Sequence, residues 1–191
     1  MSGWNRLLLP IISAVGMALQ AAEIPIEGPQ DGEYEKAEYL VTGDIVIEPG
    51  RTMSLAAGSI LRFRTNTGIV VHGALVCKGT GSEPVVFTSH RDRAYSPSDA
   101  RPFDWTGITV KAPAGAVAFE NTHLSYSTYG LLIEYPRDDL NIRDVTFSGN
   151  GDRSLSIDGR IVRVEEDVAF TFMGLDDAEA QAKTPEKPAR R

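Results

Sequence analysis

The sequence predicts an all-β chain, a single-stranded right-handed parallel β-helix of about five coils with a polar loop insertion. Three observations predict it. Short apolar cassettes recur: Gly43-Asp44-Ile45-Val46-Ile47, Gly68-Ile69-Val70-Val71, Gly107-Ile108-Thr109-Val110, Gly130-Leu131-Leu132-Ile133 and Ser154-Leu155-Ser156-Ile157. Their leading aliphatics, Ile45, Ile69, Ile108, Leu131 and Leu155, are separated by steps of 24, 39, 23 and 24. The long step is one period plus roughly 15 inserted residues, and a fixed period in this range marks units that bury their core by stacking. The second observation is a set of further β runs between the cassettes, at residues 53–55, 60–63, 75–77, 85–88, 117–119, 123–126, 142–147 and 161–164. They are rich in Ile, Val, Leu, Phe and Thr and mostly alternate apolar with polar, so each period holds about three strands. The third is punctuation: Pro49-Gly50, Gly58, Asn66, Gly79, Gly81, Pro113 and Gly149 separate the runs, and no long stretch after residue 22 has helical periodicity.

The elements follow in chain order. Residues 1–22 read as a secretory signal peptide, with Arg6 as its positive region, an apolar stretch from Leu7 to Leu19, and small residues Ala21 and Ala22 at the cleavage point. The apolar stretch is too short for a membrane anchor, which needs about 20 residues. Residues 23–39 form a lead-in, and residues 34–41 are expected to cover the open first coil, because repeat stacks need caps. Residues 40–172 form the stacked domain, with the cassette aliphatics in one inward column. Residues 173–191 are polar and carry Pro185 and Pro188, which reads as a mobile, disordered tail. An antiparallel sandwich also uses many short strands, but it has no need of equally spaced cassettes.

Composition narrows the function. The net charge is −7 at pH 7 with histidine neutral, and loss of Arg6 with the signal makes the mature chain more acidic. Such a chain has no electrostatic reason to seek nucleic acid or an anionic membrane surface. The single cysteine, Cys77, cannot form an internal disulfide and reads as a small buried hydrophobe. After signal cleavage no stable membrane span is expected. The chain is expected to be exported, to the periplasm, the cell surface or the medium.

Residues 46–50, 56–63, 73–80 and 84–89 follow one another as they do in a known family. Trp105-Thr106-Gly107-Ile108 matches the W-x-G-I step that opens a coil there. Over residues 40–170 the chain resembles the pectate-lyase-like right-handed parallel β-helix domains of bacterial secreted and surface proteins. The matching motifs are turn glycines and stacked aliphatics, so the resemblance implies a fold and carries no catalytic signature.

Candidate chemistry is sparse. Enzymes of the resembled kind act on polysaccharides with clustered carboxylates on adjacent rungs. Asp138, Asp139, Asp144 and Arg143 are the nearest set, and paired carboxylates can serve as acid and base or hold Ca²⁺. Asp138 and Asp139 follow Pro136 between strands, where a solvated turn is the simpler account. His72, His90 and His123 lack the close pairing of a zinc site. His72-Gly73 also lacks the preceding glycine of the Gly-His-Gly step that the resemblance to polygalacturonases would require. Asn121 and Asn141 are candidates for a polar stack between coils. Phe103, Trp105, Tyr126, Tyr129 and Tyr135 are candidates for a sugar-stacking face, Trp105 being assigned to packing.

The insertion, residues 89–104, is where the chain spends residues beyond its repeat, and long loops on rigid scaffolds carry function. His90, Arg91, Arg93, Tyr95 and Arg101 concentrate cationic and aromatic groups there, and Arg grips carboxylates bidentately. These five are the predicted binding residues. The competing account pairs their charges with Asp92, Asp99 and Asp104. The expected function is a non-catalytic exported scaffold or carbohydrate-binding module of the cell envelope. Its expected partner is an envelope polysaccharide or envelope protein, with no cofactor or metal. The rival is a small polysaccharide lyase or glycosidase.

Overall fold

The computed structural model describes residues 23–92, 99–112, 114–136 and 140–172. The signal segment (1–22), the tail (173–191), Arg93, Tyr95, Asp138 and Asp139 lie outside the described residues. The chain opens with β1 (Ile24–Pro29), β2 (Gly32–Tyr34), β3 (Glu38–Ile47), β4 (Thr52–Ala56) and β5 (Ile60–Phe63). It continues with β6 (Gly68–Val71), β7 (Ala74–Lys78), β8 (Val85–Ser89), β9 (Gly107–Val110) and β10 (Val117–Ser125). It ends with β11 (Leu131–Ile133), β12 (Asn141–Ser148), β13 (Leu155–Ile157), β14 (Arg160–Ile161) and β15 (Phe170–Phe172). The described residues are all-β, in one open and mostly parallel sheet.

Parallel pairing at a near-constant step builds three ladders. In the first, Ile45, Ile69, Ile108, Leu131 and Leu155 are successive partners, the column expected from the cassettes. In the second, Tyr39, Leu61, Phe87, Leu124 and Phe147 follow one another. In the third, Leu55, Cys77, Phe119 and Ile142 do so. All these side chains are buried. Alternation along each strand explains the column: one set of side chains faces in, and their neighbours face out. The pairing overturns the antiparallel sandwich as an alternative. Cys77 is fully buried in the third column, and burial pushes its thiol pKa well up, which suits a packing role.

The strands are short because the chain must turn at each corner. Between the third and second ladders the turn residues include Gly58, Asn121 and Asp144, with φ of 76°, 42° and 53°. The pairing of Glu120 with Arg143 and of Thr122 with Val145 puts Asn121 beside Asp144. Asn121 Nδ2 donates to Gly79 O at 3.2 Å. The Asn121 side chain therefore bonds Gly79, and the place beside it on the next strand is held by Asp144 rather than Asn141. Asn141 pairs with Ala118 and donates to Glu120 instead. At Gly130, φ is 56° and an added Cβ would lie 2.1 Å from Ser154 O, so the rung above seats directly on its backbone.

The two ends differ. At the C-terminal end β14 pairs antiparallel with β13 and β15 antiparallel with β12, setting Phe172 on Ile142 and Phe170 on Val145. The strand expected at 161–164 is thus only Arg160–Ile161, and it closes the last rung rather than extending the parallel ladder. At the N-terminal end β1 lies parallel on β3, and β2 on β4. Residues 34–41 do not cover the first coil: β3 has β1 on one side and β5 and β6 on the other. The edges at this end are β1 and β2; in β1, Pro25 and Pro29 lack the N–H groups that another strand would need, and prolines of this kind blunt sheet edges. Arg62, nearly buried, ties this rung down through Glu23 at 3.5 Å and Glu38 at 3.3 Å.

The seating of Gly130 yields a test. Gly130→Ala is expected to lower unfolding free energy by at least ~2 kcal/mol, from left-handed strain plus the clash. Gly159→Ala, also left-handed but with open space around it, should cost only the strain. Urea denaturation of both variants measures the difference.

Candidate functional site

The insertion is anchored at both ends by one buried carboxylate. Asp104 is 6% exposed. It accepts hydrogen bonds from Ser89 Oγ at 2.6 Å and from the Arg101 backbone N–H at 3.1 Å, and Arg91 pairs with it at 3.1 Å. Its own N–H donates to Tyr126 O at 3.0 Å. Just ahead, Thr88 donates to Asp92 at 2.7 Å, and His90 Nδ1 lies 3.0 Å from Phe63 O. The structure therefore gives Arg91 and His90 to the anchoring of the loop and leaves Arg101 exposed. Arg93 and Tyr95, the other two predicted binding residues, lie outside the described residues.

Trp105 follows the anchor and is fully buried. Its ring stacks on Phe63 at 4.0 Å between centroids, and its indole N–H donates to Ser125 O at 2.7 Å. This is the packing role expected of it. Tyr135 also belongs to structure: it packs against the core, and its hydroxyl accepts the Ala114 N–H at 3.2 Å.

The other aromatics converge on one corner, between the second and first ladders. The turn residues there are Asn66, Phe103, Tyr126 and Gly149, all left-handed, with φ of 63°, 72°, 64° and 57°. Asn and Gly adopt this conformation readily, whereas a bulky residue gives up about 1–2 kcal/mol to hold it. Two successive aromatics held this way is an unusual expenditure, and such strain concentrates at functional positions. Phe103 is 58% exposed. Its ring packs against Gly151, where an added Cβ would sit 2.4 Å from the ring. The Tyr126 ring lies over Gly149 in the same way, at 3.1 Å. Arg153 sits 5.6 Å from the centroid of the Tyr129 ring and pairs with Asp152. Beneath these rings Asn150 Oδ1 accepts from Ser127 N at 3.0 Å and Ser127 Oγ at 2.6 Å, while Ser127 Oγ accepts from Gly130 N at 2.6 Å. The corner carries the exposed Phe103 and the half-buried Tyr126 and Tyr129 beside a hydrogen-bonded turn.

The candidate catalytic residues do not assemble among the described residues. Asp144 is an exposed corner residue whose backbone N–H donates to Thr171, and Arg143 is paired with Glu120 at 2.9 Å. Asp138 and Asp139 lie outside the described residues. No group of three or more His, Cys, Asp or Glu among the described residues is placed to hold a metal ion. His123 points outward, and partial burial lowers its pKa.

Two features of the corner were missed in the sequence. One is the anchoring role of Asp104, which rests on contacts between segments that are distant along the chain. The other is the αL column, which has a signal: Phe103, Tyr126 and Gly149 are spaced by 23, one period apart.

No family model matches the chain, and no solved structure matches it. A stretch of 58 residues, 30% of the chain, is 33% identical to the protein bark beetle of Drosophila melanogaster. The similarity spans 2% of that protein's length. No helix among the described residues is long and apolar enough to cross a membrane.

Asp104→Ala is expected to destabilise the protein by about 2–3 kcal/mol, because Ser89 and the Arg101 N–H lose their acceptor in a buried setting. Arg91→Ala, which removes a half-exposed partner, should cost about 1 kcal/mol or less. Thermal melts of the two variants rank them.

Proposed function

We propose that this chain is an exported right-handed parallel β-helix that works as a non-catalytic scaffold or binding module of the cell envelope. The three ladders are taken as the three faces of the coil, and the resemblance to pectate-lyase-like domains supports that reading. The observation that carries the binding role is the aromatic corner, where two strained aromatic residues, the exposed Phe103 and the half-buried Tyr126, sit on successive turns. Rigid rungs hold the rings in place, so a ligand would meet a surface that needs little ordering on binding. Arg143 is committed to an ion pair and Asp144 to a turn, which supports a non-catalytic module over a lyase or glycosidase.

The test is turnover. The purified mature chain is incubated with uronate and neutral polysaccharides, and new reducing ends and unsaturated products are measured. The expected result is no turnover. Turnover that disappears in Asp144→Asn would establish the rival enzyme.

A further inference from the structure

We propose that Phe103, Tyr126 and Tyr129 form a stacking platform for an uncharged pyranose glycan, an inference that rests on the binding-module reading and names its ligand. Aromatic faces attract the C–H faces of a pyranose ring, and Tyr adds a hydroxyl for hydrogen bonding. Phe103 supplies the central face. It is the most exposed of these rings, and its backbone is held left-handed so that the ring turns out of the core. Gly151 is its positioning residue, because only a residue without a side chain leaves room for the ring against that backbone.

Charge selects the glycan. Among the described residues, Arg91 is paired with Asp104 and Arg153 with Asp152, while Arg101 is exposed. Asp152 also places a carboxylate beside the platform, and the whole chain is at −7. A polyanionic glycan would meet net repulsion, whereas a neutral glycan would not.

The experiment is an NMR titration of the mature full chain, reading ring and backbone resonances. The probes are cellohexaose, maltohexaose and a galacturonate hexamer. The expected result is binding of a neutral hexasaccharide, unaffected by salt, with shifts centred on Phe103, Tyr126 and Tyr129. Phe103→Ala should weaken it about tenfold, the loss of one good stacking contact. Gly151→Ala should weaken it similarly, by tilting the ring, while Phe103→Trp restores binding. Equal melting temperatures of the variants show that the fold is intact. Should Phe103→Ala unfold the chain, Gly151→Ala and Phe103→Trp carry the test. Preferential, salt-sensitive binding of the galacturonate hexamer overturns the neutral-glycan inference and leaves the binding module standing. So does neutral binding that Gly151→Ala and Phe103→Ala both leave unchanged, since the site then lies elsewhere. Failure of every hexasaccharide to bind also overturns the inference. Turnover of any probe overturns the module reading itself.

Discussion

The constraint on which this structure depends is the constant step between rungs. A parallel ladder holds its register only if the residue that faces inward on one rung lies above an inward residue on the next. Slipping by one position would send Ile69 or Ile108 outward and replace it with Val70 or Thr109. Apart from the insertion, successive partners in each ladder are therefore separated by nearly the same number of residues. Corners must turn the chain sharply within that count, which is why left-handed positions recur there. Gly130 shows the strictest case, with the neighbouring rung seated on its Cα.

Extra residues can leave such a stack only at a corner, and this chain inserts them between β8 and β9. Asp104 makes the insertion compatible with the register by binding both of its ends. The chain thus re-enters the ladder at Trp105, whose ring fills space against Phe63. The same return brings Phe103 to the corner occupied one rung later by Tyr126. Anchoring and display are two outcomes of one local solution: the carboxylate faces in, and the preceding aromatic faces out.

The repeat was legible because aliphatic triplets preceded by small residues survive as a pattern in one sequence. The first rung was harder to see. Pro25, Glu27 and Pro29 break the alternation in β1, and those same residues suit it to a sheet edge. The Asn121–Asn141 pairing failed because residue type alone does not give register: a spacing of 20 falls short of the period, and Asp144 occupies the matching place. In the insertion, counting Arg and His located the segment but not its chemistry. Arg91 and His90 meet structural partners, Asp104 and Phe63 O, and such pairing is decided by neighbours brought in by folding. Phe103 was legible as an aromatic candidate, but its exposure depends on a left-handed backbone that sequence does not display.

The most direct measurement of the central claim is a set of inter-strand nuclear Overhauser contacts along the cassette column in isotopically labelled protein. The account predicts contacts between α and amide protons linking Ile45 with Ile69, Ile69 with Ile108, Ile108 with Leu131, and Leu131 with Leu155. It also predicts no close α-to-α proton contacts among these residues. Strong α-to-α contacts between any two cassettes would mean antiparallel pairing and would contradict the stacked, in-register account.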